Sequence, residues 1–64
     1  MSPRKTLQER EQELRPLLAT PAGRDELQEL AARYYAASGR LRPAGTSAIT
    51  YILVYERELG LISG

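Results

Sequence analysis

Apolar residues along this chain gather in three stretches, separated by polar segments that carry Pro and Gly. In the first stretch Leu7, Leu14 and Leu18 share one helical face, with Arg10 and Glu11 between them, so the apolar stripe is narrow. Thr6 and Glu9 have the Thr-x-x-Glu spacing of a capping box, in which the N-cap and N3 side chains satisfy each other's backbone N–H groups. A helix beginning at Leu7 is therefore expected, and Glu11 and Arg15 stand four apart in the favourable order. Pro16 removes a helical hydrogen bond and pushes Arg15 away from the α region. The helix over 7–15 should give way to a bent or 3₁₀ turn through Leu17, Leu18 and Ala19.

The second stretch opens on Thr20-Pro21, an N-cap residue followed by Pro at the first helical position. Asp25 and Glu26 lie near the positive end of the helix dipole. Gly23 costs about 1 kcal/mol inside a helix, which would allow the start to slip to Asp25. Leu27, Leu30, Ala31, Tyr34 and Ala37 follow helical spacing, with Glu29 and Arg33 outward, and Gly39 after Ser38 suits a left-handed stop. A helix over 21–37 is expected. The adjacent Tyr34 and Tyr35 point about 100° apart on it, which puts one in the core and one at its rim. In the connector after it, Leu41 is expected to tuck against the core while Arg40 and Arg42 stay in water.

The third stretch, Ala48 to Tyr55, is almost unbroken apolar and rich in β-branched and aromatic residues, which by propensity alone favours a strand. Its Thr46 or Ser47 start and Gly60 stop, its length, and the lack of a second strand to pair with favour a helix over 47–59 instead. An intermolecular two-stranded pairing is the rival. Leu61 and Ile62 should fold back after Gly60. The fold class expected is all-α: one compact three-helix domain over 1–64, with a frayed terminus at 1–5.

With 64 residues the chain has room for one domain, and one this small is marginally stable unless something supplements its core. Without Cys or His, disulfides and zinc are not that supplement, and association with a second copy is the remaining common one. Ten Leu, three Ile, one Val and four Tyr supply enough bulk for one core. As a helix the third stretch is apolar nearly all round, and the first helix is too polar to cover both of its sides. Ile49, Tyr51, Ile52, Leu53, Tyr55 and Leu59 are therefore the candidate self-association residues, and a homodimer or other homo-oligomer is expected, with a further protein partner admissible.

Charge and chemistry narrow the classes further. Nine basic residues against eight acidic ones leave +1, less than a small nucleic-acid-binding module usually carries. Arg40, Arg42 and Arg57 are the candidates should such contact occur. Without His or Cys, acid–base chemistry would rest on Glu56 and Glu58, or on Asp25, Glu26 and Glu29, all expected on solvated helix faces. No catalytic residue, metal ligand set or cofactor site is expected. Neither a signal peptide nor a membrane span is recognisable, which with the absence of Cys favours the cytoplasm.

Glu29-Leu30-Ala31-Ala32-Arg33, then Gly45-Thr46, then Glu58-Leu59-Gly60-Leu61-Ile62 resemble the helix-turn-helix of GntR-type winged-helix repressors, over about half the chain. That resemblance implies a small DNA-binding regulator in which the third helix takes the recognition position. In general make-up the chain also resembles short bacterial open reading frames, a likeness that implies no function. The leading expectation is a non-catalytic, self-associating interaction module, and the regulator is the alternative.

Overall fold

Local signals set the elements. In the computed structural model, which describes residues 4–63, α1 runs Leu7–Leu14, a 3₁₀ turn follows over Arg15–Ala19, α2 runs Pro21–Ser38 and α3 runs Ala48–Glu58. The protein is all-α, and among the described residues its only extended pairing is an isolated bridge between Thr6 and Ser63. The capping box forms: Thr6 Oγ1 accepts from the Glu9 N–H at 3.1 Å, and Glu9 Oε1 accepts from the Thr6 N–H at 3.0 Å. Thr20 Oγ1 accepts from the Gly23 N–H at 3.0 Å, so α2 starts at Pro21 with no slip to Asp25. Ser47, rather than Thr46, caps α3, its Oγ accepting from the Thr50 N–H at 3.1 Å.

Both remaining helix ends use a left-handed glycine. Gly39 at φ 71° closes α2. After α3, Gly60 at φ 76° donates to the Arg57 carbonyl at 3.1 Å and Leu61 to that of Glu56 at 2.9 Å, which is the Schellman pattern. The reversal buries Ile62 and leaves Leu61 exposed. It also brings the C-terminal segment beside the start of α1. There the Ser63 N–H donates to the Lys5 carbonyl at 2.9 Å and the Leu7 N–H to the Ser63 carbonyl at 2.6 Å. Of the expected frayed terminus, Lys5 is thus tied down, and residues 1–3 lie outside the described residues.

The core joins Leu14 of α1, Leu27 and Ala31 of α2, Ala48, Ile49, Ile52 and Leu53 of α3, and Ile62. The third helix is the centre, packing against both α1 and α2. That placement explains why a β-branched segment is helical. Each large side chain it buries contributes about 1.5–3 kcal/mol, against a helix-propensity cost of at most about 0.7 kcal/mol per residue. The intermolecular strand pairing is therefore not the state of this segment.

The covering of α3 is more complete than its all-round apolar pattern implied. Ala48, Ile49, Tyr51, Ile52, Leu53 and Glu56 are all buried within the one chain, leaving Thr50, Val54, Arg57 and Glu58 outward. The 3₁₀ turn supplies part of the domain's wall by packing on α2. Gly23 permits that contact, because a Cβ there would lie 2.2 Å from the Leu17 carbonyl oxygen. The connector departs from expectation. Leu41 is 76% exposed rather than tucked in, because the Tyr51 hydroxyl anchors the connector by donating to the Arg40 carbonyl at 2.7 Å, and the next side chain turns outward.

Candidate functional site

Two features qualify, one buried and one open. The buried one is a polar brace joining all three helices. Arg10 on α1 sits between Leu7 and Leu14 on the inward stripe, so its guanidinium reaches into the domain. Arg10 Nε donates to Glu56 Oε1 at 2.8 Å and Nη2 to Oε2 at 3.0 Å, a two-pronged contact of the kind that fixes orientation. From α2 the Tyr34 hydroxyl donates to Glu56 Oε2 at 2.6 Å. The Tyr34 ring also stacks on that of Tyr55, with centroids 4.3 Å apart and planes 20° from parallel. On the solvent side Arg10 Nη1 donates to Glu13 at 3.2 Å, and Lys5 pairs with the same carboxylate.

The carboxylate of Glu56, on a residue only 4% exposed, corrects the expectation of a solvated helix face. Sequence spacing held the signal for it: Glu56 lies four residues after Ile52 and three after Leu53, on the inward arc. Both oxygens are engaged by three donors, one on Oε1 and two on Oε2, so the group ties the three helices together. Among the described residues no buried side-chain nitrogen or oxygen lacks a partner.

Electrostatics follow the geometry. The hydrogen bond to Glu56 raises the Arg10 pKa against the opposing effect of burial. Lys5, and then Arg10, hold the Glu13 carboxyl below its ordinary value. Burial first, and then the hydrogen bond to Glu56, push the Tyr34 phenol up from 10.0 to about 12. A folded pKa above the unfolded one means that this contribution to stability is complete below pH 10.0 and is lost as pH rises through about 12. Tyr34→Phe is accordingly expected to flatten the fall in melting temperature across that alkaline window. An unchanged slope in melts of both proteins would contradict the assignment.

The open feature is a groove between the connector and the outer side of α3. It has a volume near 310 Å³ and is lined by Leu41, Pro43, Thr46, Thr50, Tyr51, Val54 and Tyr55, with Arg40 and Glu58. A second hollow, with Ala37, Ser38 and Leu59 on its wall, shares Arg40, Tyr55 and Glu58 with the first. The two hollows meet at the ion pair between Arg40 and Glu58, whose side chains are 64% and 43% exposed. Leu41 and Val54, both exposed, thus line the first hollow, and Leu59, also exposed, lines the adjoining one.

The predicted self-association residues divide. Ile49, Tyr51, Ile52 and Leu53 are buried, so a second copy would meet Ile49, Ile52 and Leu53 only through a rearranged domain. The Tyr51 side chain still forms part of the groove floor. Tyr55 is half-buried in the groove and Leu59 is exposed at its end. Leu41, expected in the core, and Val54, outside the predicted self-association set, join them. Arg40, Arg42 and Arg57 are all exposed but not gathered: Arg40 faces Glu58 at the groove, while Arg42 lines a separate hollow beside α2 with Gln28 and Tyr35. Among the described residues no cluster of three or more carboxylates could hold a metal ion, and no helix is long and apolar enough to cross a membrane. No family model, curated protein or solved structure matches the chain.

Proposed function

We propose that this chain is a non-catalytic helical protein–protein interaction module that self-associates, acting as an assembly or adaptor element. The observation that carries the reading is that the exposed Leu41, Val54 and Leu59 line two adjoining hollows beside α3, which share Arg40, Tyr55 and Glu58. Scattered apolar side chains need no explanation, whereas a contiguous set framing a hollow is how an interface presents itself. A domain of this size also gains from association, since its own core supplies little surplus stability. The contact surface is the outer face of α3 with the connector, in place of the buried residues Ile49, Ile52 and Leu53.

The regulator reading, through Arg40, Arg42 and Arg57, ranks second. Arg40 is engaged with Glu58, and α3 presents outward only Thr50, Val54, Arg57 and Glu58, a short and nearly neutral face for a DNA groove. Sedimentation velocity at micromolar concentration decides between them. The wild-type chain is expected to run as a dimer or larger species, and Val54→Asp as a monomer with unchanged helical circular dichroism. A folded wild-type monomer that binds duplex DNA with steep salt dependence would overturn the proposal in favour of the regulator.

A further inference from the structure

We infer that the self-association surface is a two-fold one in which the Arg40 and Glu58 side chains of two copies face each other reciprocally across the groove. The inference rests on the interaction reading above and specifies its partner and geometry. Its first support is charge. Among the described residues, the ionic groups lining the groove are one guanidinium and one carboxylate, so the rim they form is neutral but of both signs. A one-signed partner, such as a nucleic acid or an acidic or basic helix, gains from one group and is repelled by the other. A second copy turned by a two-fold axis has both groups matched, because such an axis places residue i on residue j and j on i.

Shape agrees with charge. Leu41 stands exposed on the connector and lines the same hollow as Val54 and Tyr55. A two-fold places the knob of each protomer against the hollow of the other. Two Leu side chains then leave water, and each ion pair joins a four-charge cluster instead of standing alone at the surface. Exposed pairs like this one are worth little within the monomer, so sharing them sacrifices little of the domain's own stability.

The test is charge complementation in full-length chains, read by sedimentation. Arg40→Glu gives a protomer with two acids at the groove and Glu58→Arg one with two bases. Each variant alone is expected to dimerise at least about ten-fold more weakly than the wild type, because like charges then meet twice across the axis. An equimolar mixture is expected to recover a dimer containing one of each. Leu41→Asp, at a side chain outside the core, is expected to remove the dimer while the helices remain. A wild-type monomer would defeat the interaction reading itself. A wild-type dimer with no gain on mixing, or with Leu41→Asp still dimeric, would overturn the two-fold groove and leave the reading standing.

Discussion

Arg10→Met is expected to destabilise the domain by about 3 kcal/mol, the lower end of what removing one partner of a buried ion pair costs. The magnitude depends on what remains behind. An exposed pair would cost at most about 1 kcal/mol, but the residue left alone here, Glu56, is 4% exposed and keeps only the Tyr34 hydroxyl as a donor. The Arg10 side chain is itself 25% exposed, so water replaces part of what it provided, which places the cost at the lower end. For a domain of this size about 3 kcal/mol is most of the stability available and lowers the melting temperature by more than about 10 °C. Combining Arg10→Met with Glu56→Leu is expected to recover much of the loss, because an apolar pair of similar volume leaves no stranded charge. Thermal and urea melts of the single and double variants check both statements. A single variant within about 0.5 kcal/mol of wild type would refute the brace, since surface substitutions commonly fall in that range.

The second large effect runs against helix propensity. Gly23→Ala in an ordinary helix interior stabilises by about 1 kcal/mol. Here it is expected to destabilise by about 2 kcal/mol or more, because the added Cβ lies 2.2 Å from the Leu17 carbonyl oxygen and 2.8 Å from the carbonyl carbon and Cα. All three are backbone atoms, so no side-chain rotation relieves the clash, and the 3₁₀ turn must move off α2. Ala32→Gly, on an exposed part of the same helix, serves as the control and should cost only about 1 kcal/mol. A stabilised Gly23→Ala protein in equilibrium melts would show that the turn does not press on the helix as the structure has it.

Both effects belong to residues whose importance was only partly legible. Leu7, Arg10 and Leu14 fall on one helical face, as do Ile49, Ile52, Leu53 and Glu56. An opposite charge placed within each stripe is a pattern that a reading of apolar positions passes over. Gly23 had no comparable signal. Its local cost argued for a later helix start, and only the approach of Leu17 from the preceding turn supplies the reason for a glycine there. The site is split in the same way. Tyr55 and Leu59 belong to the apolar face that the pattern marks over 47–59, whereas Leu41 reads as a core residue and lies outside, and Val54 is one apolar residue among many in its stretch.

What the sequence by itself determined is, to within a residue or a few, where elements begin, end and turn. Thr6 with Glu9, Thr20 with Pro21, Gly39 and Gly60 act through hydrogen bonds and dihedral angles that reach only a few residues, so they are legible without the rest of the chain, whereas the choice of Ser47 over Thr46 and of Pro21 over Asp25 came from the structure. The 3₁₀ turn after Pro16 is of the same kind. Only the tertiary structure decided which faces are covered. Burial of Glu56, exposure of Leu41 and the closing of α3 by α1 and α2 depend on how three helices cross, and those crossings sum contacts between residues far apart in the chain. An apolar helix therefore showed that it must be covered, and the packing settled that most of that cover comes from the chain itself. What remains open is a groove beside α3, far narrower than the all-apolar helix its pattern suggested.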